Sequence, residues 1–305
     1  MSRLGASTRE AVKSLGEKLL ASGSVLALAR RRLWNKRLIL SYHNIIASET
    51  PRGDRSLHLP RRRFAQQLDF LQSEFDIVGL DSILALNEGP PRVAITFDDA
   101  YRGALTHGIP ELVHRGLPAT VCVAPGLLGS RATWWDALAA GNEGLRPEWR
   151  QFALCDCAGE DQRVRHWAEQ HGLRLAVQDR EYEIASEAEF LTAMASPRMT
   201  AASHGWSHAN LSRLSLQRVL DELRRTEAWL QQQPFARVPW LAYPYGIAPT
   251  EGFDVVREIG YAGAVLVEGG WFDATRVPRA LIPRLNIPAT LSIEGFKARL
   301  GGLLN

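Results

Sequence analysis

Thr96-Phe97-Asp98-Asp99 closes an apolar run, Val93-Ala94-Ile95, with two adjacent carboxylates. The run predicts a short buried strand. An unpaired buried carboxylate is costly, so two acids at such a strand end call for a cation or for catalysis. Further along, Ser203-His204-Gly205-Trp206-Ser207-His208 sets a His-x-x-x-His pair after a second strand-like run, Met199 to Ser203. Carboxylate oxygen and imidazole nitrogen together suit a divalent transition metal. The four-residue spacing puts both rings on one side of a helical turn, with Gly205 easing the bend out of the strand. Neighbouring strand residues point to opposite faces, so Asp98 and Asp99 cannot hold one position. One is expected to ligate metal and the other to handle protons. Each feature alone has an ordinary use: an Asp after a strand often caps the next helix, and an isolated His-x-x-x-His can be a surface turn. Their presence in one chain favours the metal site. One acid and two histidines would make a facial triad with open positions, fit for zinc and also for cobalt, iron, nickel or manganese.

These segments lie far apart in the chain, so a fold must bring them together. The chain has 305 residues, 46% hydrophobic and 23% charged, which is ordinary globular composition with ample core. Arg37 to Tyr42 predicts a strand ending at His43-Asn44. Residues 60–75 predict a helix with Phe64, Leu68, Leu71 and Phe75 on one face. Asp76 to Leu80 predicts a strand, with Asp81 as cap of a following helix. The Asp-Asp strand comes next, then a helix over Gly103 to Arg115 that contains Pro110, then a strand at Ala119 to Ala124. After residues 127–197, expected to be an inserted helical region, the alternation resumes. Met199 to Ser203 is a strand, and Ser215 to Gln233 a helix with Ser215 as N-cap. Val238 to Tyr243 is a strand ending at Pro244-Tyr245-Gly246, followed by a helix over Phe253 to Ile259. Gly263 to Val267 and Leu281 to Ile287 are the last strands. Such alternation predicts an α/β fold, a β/α barrel with parallel strands. Barrels of this kind carry their chemistry at the carboxyl ends of the strands. His43, Asp98, Asp99, His204, Tyr245 and Arg284 all fall at or near such ends.

The net charge of +3 gives no reason to expect nucleic acid. Its distribution is uneven: residues 1–40 hold nine Lys/Arg against two Glu, a net of +7, which leaves −4 on the rest. Residues 1–37 are therefore expected to form a basic, partly helical segment, with Val12, Leu15 and Leu19 at helical spacing, ahead of a barrel over 38–305. Such a segment could touch anionic lipid or pack as a solvated helix on the domain. A secretory signal is not expected, because Val25 to Ala29 is short and Arg30-Arg31-Arg32 follows it. No run approaches the roughly 20 apolar residues of a spanning helix. The three cysteines, Cys122, Cys155 and Cys157, give no disulfide framework. The expected location is cytoplasmic, with peripheral contact at the inner membrane face.

Taken in order, Thr96-Phe97-Asp98-Asp99, Ser203-His204-Gly205-Trp206-Ser207-His208 and Tyr243-Pro244-Tyr245-Gly246 resemble the first three motifs of the polysaccharide deacetylase family. This is carbohydrate esterase family 4, or the NodB-homology domain. The resemblance covers roughly residues 38–288. It implies a distorted (β/α) barrel of about seven strands. It also implies that Asp98 is the general base, that Asp99, His204 and His208 bind the metal, and that the backbone N–H of Tyr245 steadies the oxyanion. The implied reaction is hydrolysis of an N-acetyl or other N-acyl group on an amino sugar. The residues agree with that chemistry. A metal polarises the amide carbonyl and acidifies bound water, and a carboxylate beside it takes the proton.

The chain departs from the family pattern in several places. Ala242 stands where an Arg often steadies the base. The last strand, Ile282-Pro283-Arg284-Leu285-Asn286-Ile287, lacks the usual Leu-x-His acid. The Asp-rich fourth motif is not recognisable, Asp273 being a poor stand-in, and Ala100 replaces a Gly. Arg284 is expected to pair with Asp98 instead, and His43 to donate the proton, against ordinary roles as a rim arginine and a structural histidine. Trp134-Trp135-Asp136 offers aromatics for stacking on a sugar or for packing. The expected function is a metal-dependent deacetylase, zinc being the first choice of metal, acting on a glycan or lipid-linked glycan in surface-glycan assembly. The alternatives are an inactive glycan-binding protein on the same barrel, which the missing Arg and His would favour, and an O-acyl esterase or deformylase.

Overall fold

The computed structural model describes residue 17 and residues 31–86 and 88–303. The expected basic segment 1–37 therefore lies largely outside the described residues. The strands are β1 (Lys36–Tyr42), β2 (Asn44–Ile46), β3 (His58–Pro60), β4 (Asp76–Ile77), β5 (Arg92–Asp98), β6 (Ala119–Val123), β7 (Met199–Ser203), β8 (Arg237–Ala242), β9 (Gly263–Gly269), β10 (Phe272–Asp273) and β11 (Ile282–Asn286). Seven of them, β1, β5, β6, β7, β8, β9 and β11, pair in parallel and in sequence order around a closed barrel. Closure is made by β1, which sets Leu40 opposite Leu285 on β11 and runs in register with β5 from Arg37↔Arg92 to Tyr42↔Phe97. Short β4 lies beside β5, β10 runs antiparallel to β1, and β2 pairs with β3 in a separate ribbon.

Alternation along these strands sorts the side chains. Ile39, Ala94, Cys122, Ala202, Trp240, Val265 and Ile282 form one buried cluster, which fills the barrel. Leu38, Leu40, Val93, Ile95, Val121 and Ala201 belong to a larger cluster shared with the surrounding helices. Both faces are covered, which is why these strands read as continuous apolar runs. Two-residue steps up from the filled interior reach Ser41 on β1, Thr96 and Asp98 on β5, and Arg284 on β11. The same step from Ala202 reaches His204, just past the end of β7. The barrel mouth is thus polar by the same parity that makes its floor apolar.

The helices are α1 (Arg61–Glu74), α2 (Ile109–His114), α3 (Trp134–Gly141), α4 (Pro147–Cys155), α5 (Asp161–Gln170), α6 (Glu187–Met194), α7 (Leu216–Gln231), α8 (Gly252–Ile259) and α9 (Ile293–Leu300). Ser215 caps α7 as expected, accepting from the backbone N–H of Arg218. Four helices, α3 to α6, occupy the segment between β6 and β7, and Trp134, Trp135, Leu138, Ala153 and Val164 join the outer barrel cluster. The single helix expected over Gly103 to Arg115 forms, running without a break from residue 102 to 114, with a π-turn, Ala104–Gly108, leading into α2. Pro110 has no N–H to continue the ladder there. Asp81 caps no α-helix, because Leu80–Ser82 forms only a 3-10 turn. No helix among the described residues is long and apolar enough to cross a membrane.

Candidate active site

A cavity of about 210 Å³ opens at the carboxyl ends of the strands, lined among others by His43, Asp98, Asp99, Trp135, His204, His208 and Tyr245. Asp98 is the last residue of β5 and is buried. Arg284 reaches it across the mouth from β11, also fully buried, and grips both oxygens: Nη1 donates to Oδ1 at 2.8 Å and Nη2 to Oδ2 at 2.6 Å. The guanidinium is itself held, donating through Nε to the carbonyl of Leu266 at 2.6 Å and through Nη1 to Thr96 Oγ1 at 3.0 Å. Ser41 Oγ gives Asp98 Oδ2 a third donor at 3.3 Å. Burial pushes the Asp98 carboxyl up, but the charge of Arg284, with His204 and the Arg284 hydrogen bonds, holds it below the usual carboxylate range. The pairing expected of Arg284 with Asp98 is therefore present.

Asp99 leaves the strand. Its φ of +71° and that of Ala100, +59°, are both left-handed, a conformation rare for L residues and concentrated at functional sites. The strand alternation that would send Asp99 away from Asp98 is thereby cancelled, and both acids line the cavity. Asp99 Oδ1 lies 3.1 Å from His208 Nε2 and 3.5 Å from His204 Nε2, and the two Nε2 atoms are 3.2 Å apart. The two rings do not meet on a helical turn, as the spacing had suggested. The segment after β7 is a loop, bent by positive φ at Gly205 (+72°) and His208 (+58°). Glu222, on α7, clasps that loop, its carboxylate accepting from the backbone N–H groups of Trp206 at 3.0 Å and Ser207 at 2.8 Å.

The donor set fits a divalent cation. His204 Nδ1 donates to the carbonyl of Ala242 at 2.7 Å, which leaves Nε2 as a lone pair facing Asp99 and His208. Asp99 Oδ1 is buried without a hydrogen-bond donor among the described residues. One carboxylate oxygen and two imidazole nitrogens lie within 4.8 Å of one another, an oxygen and nitrogen set that could hold a metal ion. Electrostatics agree, since two carboxylates face one guanidinium. Burial lowers the His204 pKa, yet Asp98 and Asp99 outweigh it and the net direction is up. For His208 burial prevails over Asp99 and the direction is down.

The remaining expected residues are also placed. Tyr245 sits in the 3-10 turn Pro244–Gly246 with φ +59°. Its hydroxyl accepts from Trp134 Nε1 and donates to the carbonyl of Gly159, each at 3.0 Å. His43 follows β1 and lines the cavity. Burial holds its imidazole below the usual range, against Asp98 and Asp99. Asp273 is on β10, beside Lys36 at 3.6 Å, and does not line the cavity. Trp134 and Trp135 are 1% and 5% exposed and both line the cavity, packed against each other and against Tyr245. Sequence reasoning missed Ser41 and Glu222. The parity of β1 could have found the first; nothing local to the histidine motif points to the second.

Fold and site together define a β/α-barrel hydrolase. The chain belongs to the polysaccharide deacetylase family, whose profile matches residues 85–264, and it is a carbohydrate deacetylase. Among solved structures it is similar to a polysaccharide deacetylase from Bacillus cereus, with 16% identity and a TM-score of 0.61 over 88% of this chain and 69% of that one. It also resembles the Streptococcus pyogenes deacetylase PplD in complex with acetate, with 16% identity and a TM-score of 0.59 over 87% of this chain and 98% of that one. IcaB from Ammonifex degensii matches at 16% identity and a TM-score of 0.57, over 88% and 96%. At such identity these likenesses concern the fold. No curated protein matches the chain.

Proposed function

We propose that this deacetylase depends on one divalent cation, held by Asp99, His204 and His208, and removes an N-acetyl or similar N-acyl group from an amino sugar. The observation that carries this reading is the buried Asp99/His204/His208 cluster beside the arginine-clamped Asp98 in one cavity. A cation bound there would polarise the acyl carbonyl and acidify water. Asp98 stands outside the ligand set and takes the proton of the attacking water. Arg284 and Ser41 fix both its oxygens, so the base is ionised and oriented before substrate arrives. The backbone N–H of Tyr245 supports the oxygen that gains charge as the carbonyl carbon becomes tetrahedral. His43 gives a proton to the departing amine. Its depressed pKa makes the protonated form scarce at neutral pH but a strong donor.

The substrate proposed is an amino sugar within a polysaccharide or lipid-linked glycan, the latter reached through peripheral contact of the basic N-terminal segment with the membrane at the cytoplasmic face. Acetate release from N-acetylated oligosaccharides, free and carried on lipid, tests both parts. Release that is lost when a chelator strips the protein, returns with Zn²⁺ or Co²⁺, and runs faster on the lipid-carried form is the expected result. Equal rates on the two forms would remove the membrane argument, and cation-independent release would remove the mechanism.

A further inference from the structure

Trp134-Trp135-Asp136 opens the segment of four helices between β6 and β7, and the steps above give Asp136 no task. Asp136 is nonetheless fully buried, and its carboxylate accepts four hydrogen bonds. His58 Nε2 and the backbone N–H of Asp54 meet Oδ1, each at 2.9 Å. The hydroxyls of Tyr101, at 2.6 Å, and Thr133, at 3.3 Å, meet Oδ2. Asn44 Nδ2, 3.1 Å from His58 Nδ1, donates to that nitrogen, and His58 Nε2 donates to Asp136. The Tyr101 hydroxyl, its own proton committed to Asp136, accepts the indole N–H of Trp135 at 2.8 Å. A continuous line of hydrogen bonds thus runs from β3 through Asp136 and Tyr101 to Trp135.

That line ends against a residue of the cation cluster. The Trp135 ring lies 5.1 Å from the His208 ring and 6.0 Å from that of Tyr245. The two histidines of the cluster are held differently. A ligating histidine ordinarily has its second ring nitrogen fixed by a hydrogen bond. His204 has one, to Ala242, but His208 Nδ1 is buried with no hydrogen-bond partner among the described residues. The orientation of the His208 ring therefore rests on packing, between Trp135, Tyr245 at 4.5 Å and His204 at 4.7 Å. Trp134 secures the Tyr245 side of this wall through its own indole N–H.

We propose that Asp136, acting through Tyr101 and Trp135, is a positioning residue that sets the His208 ring for the cation. The aromatic wall replaces the hydrogen bond that His208 lacks. This inference rests on the reading of Asp99, His204 and His208 as a cation site. Two substitutions test it without replacing any of Asp99, His204 and His208. Tyr101→Phe removes the hydroxyl that joins Trp135 to Asp136. Trp135→Phe keeps a ring against His208 but removes the indole donor. Each protein, unaltered and substituted, is first freed of cation with a chelator and then titrated with Zn²⁺ and Co²⁺ by calorimetry, and the thermal unfolding of the stripped protein is followed without added cation. Phe190→Leu, a core change on α6 outside the network, sets the baseline for lost packing alone. In both test variants the Kd for the cation is expected to weaken about tenfold or more, while Phe190→Leu leaves Kd unchanged whatever its Tm. An unchanged Kd in both variants beside normal uptake by the unaltered protein would overturn this inference alone, a fall in Tm then being mere packing. No uptake by the unaltered protein would overturn the cation site and this inference with it.

Discussion

Arg284 and Asp98 stand 186 positions apart in the chain, yet each supplies what the other lacks. A buried carboxylate without its cationic partner is costly, and breaking such a pair from one side costs about 3–5 kcal/mol. Arg284→Met should destabilise the protein by that order, read by urea unfolding. It should also change the pH dependence. Arg284 holds the Asp98 pKa below its ordinary value, against burial. A depressed carboxyl contributes stability that is present above its unfolded pKa, about 3.9, and lost only as pH falls through the lower folded value. Without the guanidinium, burial acts unopposed and the Asp98 pKa rises. The acid limb of kcat/KM is then expected at higher pH in Arg284→Met than in the unaltered enzyme, and an unmoved limb would argue against Asp98 as base. His43 gives the opposite sign. As the proposed proton donor it acts in its protonated form, and its pKa lies below the usual imidazole range, so the rate should fall as pH rises through that value. His43→Gln should lower kcat and abolish this fall; a profile with the same descent would assign it to another group.

Short segments do the aiming. Asp99 and Ala100 turn left-handed as β5 ends, and the loop after β7 bends at Gly205 and again at His208. The helix α7 then stabilises that loop through Glu222, whose carboxylate covers two backbone N–H groups. Glu222→Ala would leave both donors to water and to loop strain, at about 1–3 kcal/mol. The expected outcome is a lower Tm with a fall in acetate release that added cation partly restores; unchanged activity would show that the loop holds itself. Elements of this kind are only partly legible. The strand ends at Asp98 and Ser203 were readable, because apolar runs and parity mark them. The left-handed turns were not, since neither Asp99 nor Ala100 announces a positive φ as a glycine would. The three-residue strands β2 and β3 are too short to show a period. The helix α9 carries a readable signal beyond the last expected strand, with Ser292 at its N-cap and Phe296 and Leu300 four apart.

The barrel explains why residues so distant in sequence converge. Seven parallel strands in sequence order put every carboxyl end on one rim, and the interior parity then selects Ser41, Asp98, His204 and Arg284. That much follows from alternation and strand order. What alternation could not supply was the pairing across the rim. The family pattern puts its arginine at the position of Ala242 on β8, whereas Arg284 reaches Asp98 from β11, brought there by closure of β11 onto β1. The Trp134-Trp135-Asp136 wall was equally out of reach, because its partners come from the β3, β5 and β8 ends of the chain. Cation content and acetate release, measured together on the purified protein and on Asp99→Ala, bear on all of this at once. The unaltered protein is expected to hold a single divalent cation per chain, and Asp99→Ala to lose it with a fall in rate of about a hundredfold or more. Undiminished acetate release by Asp99→Ala, or release by cation-stripped protein at the full rate, would contradict the cation-dependent mechanism.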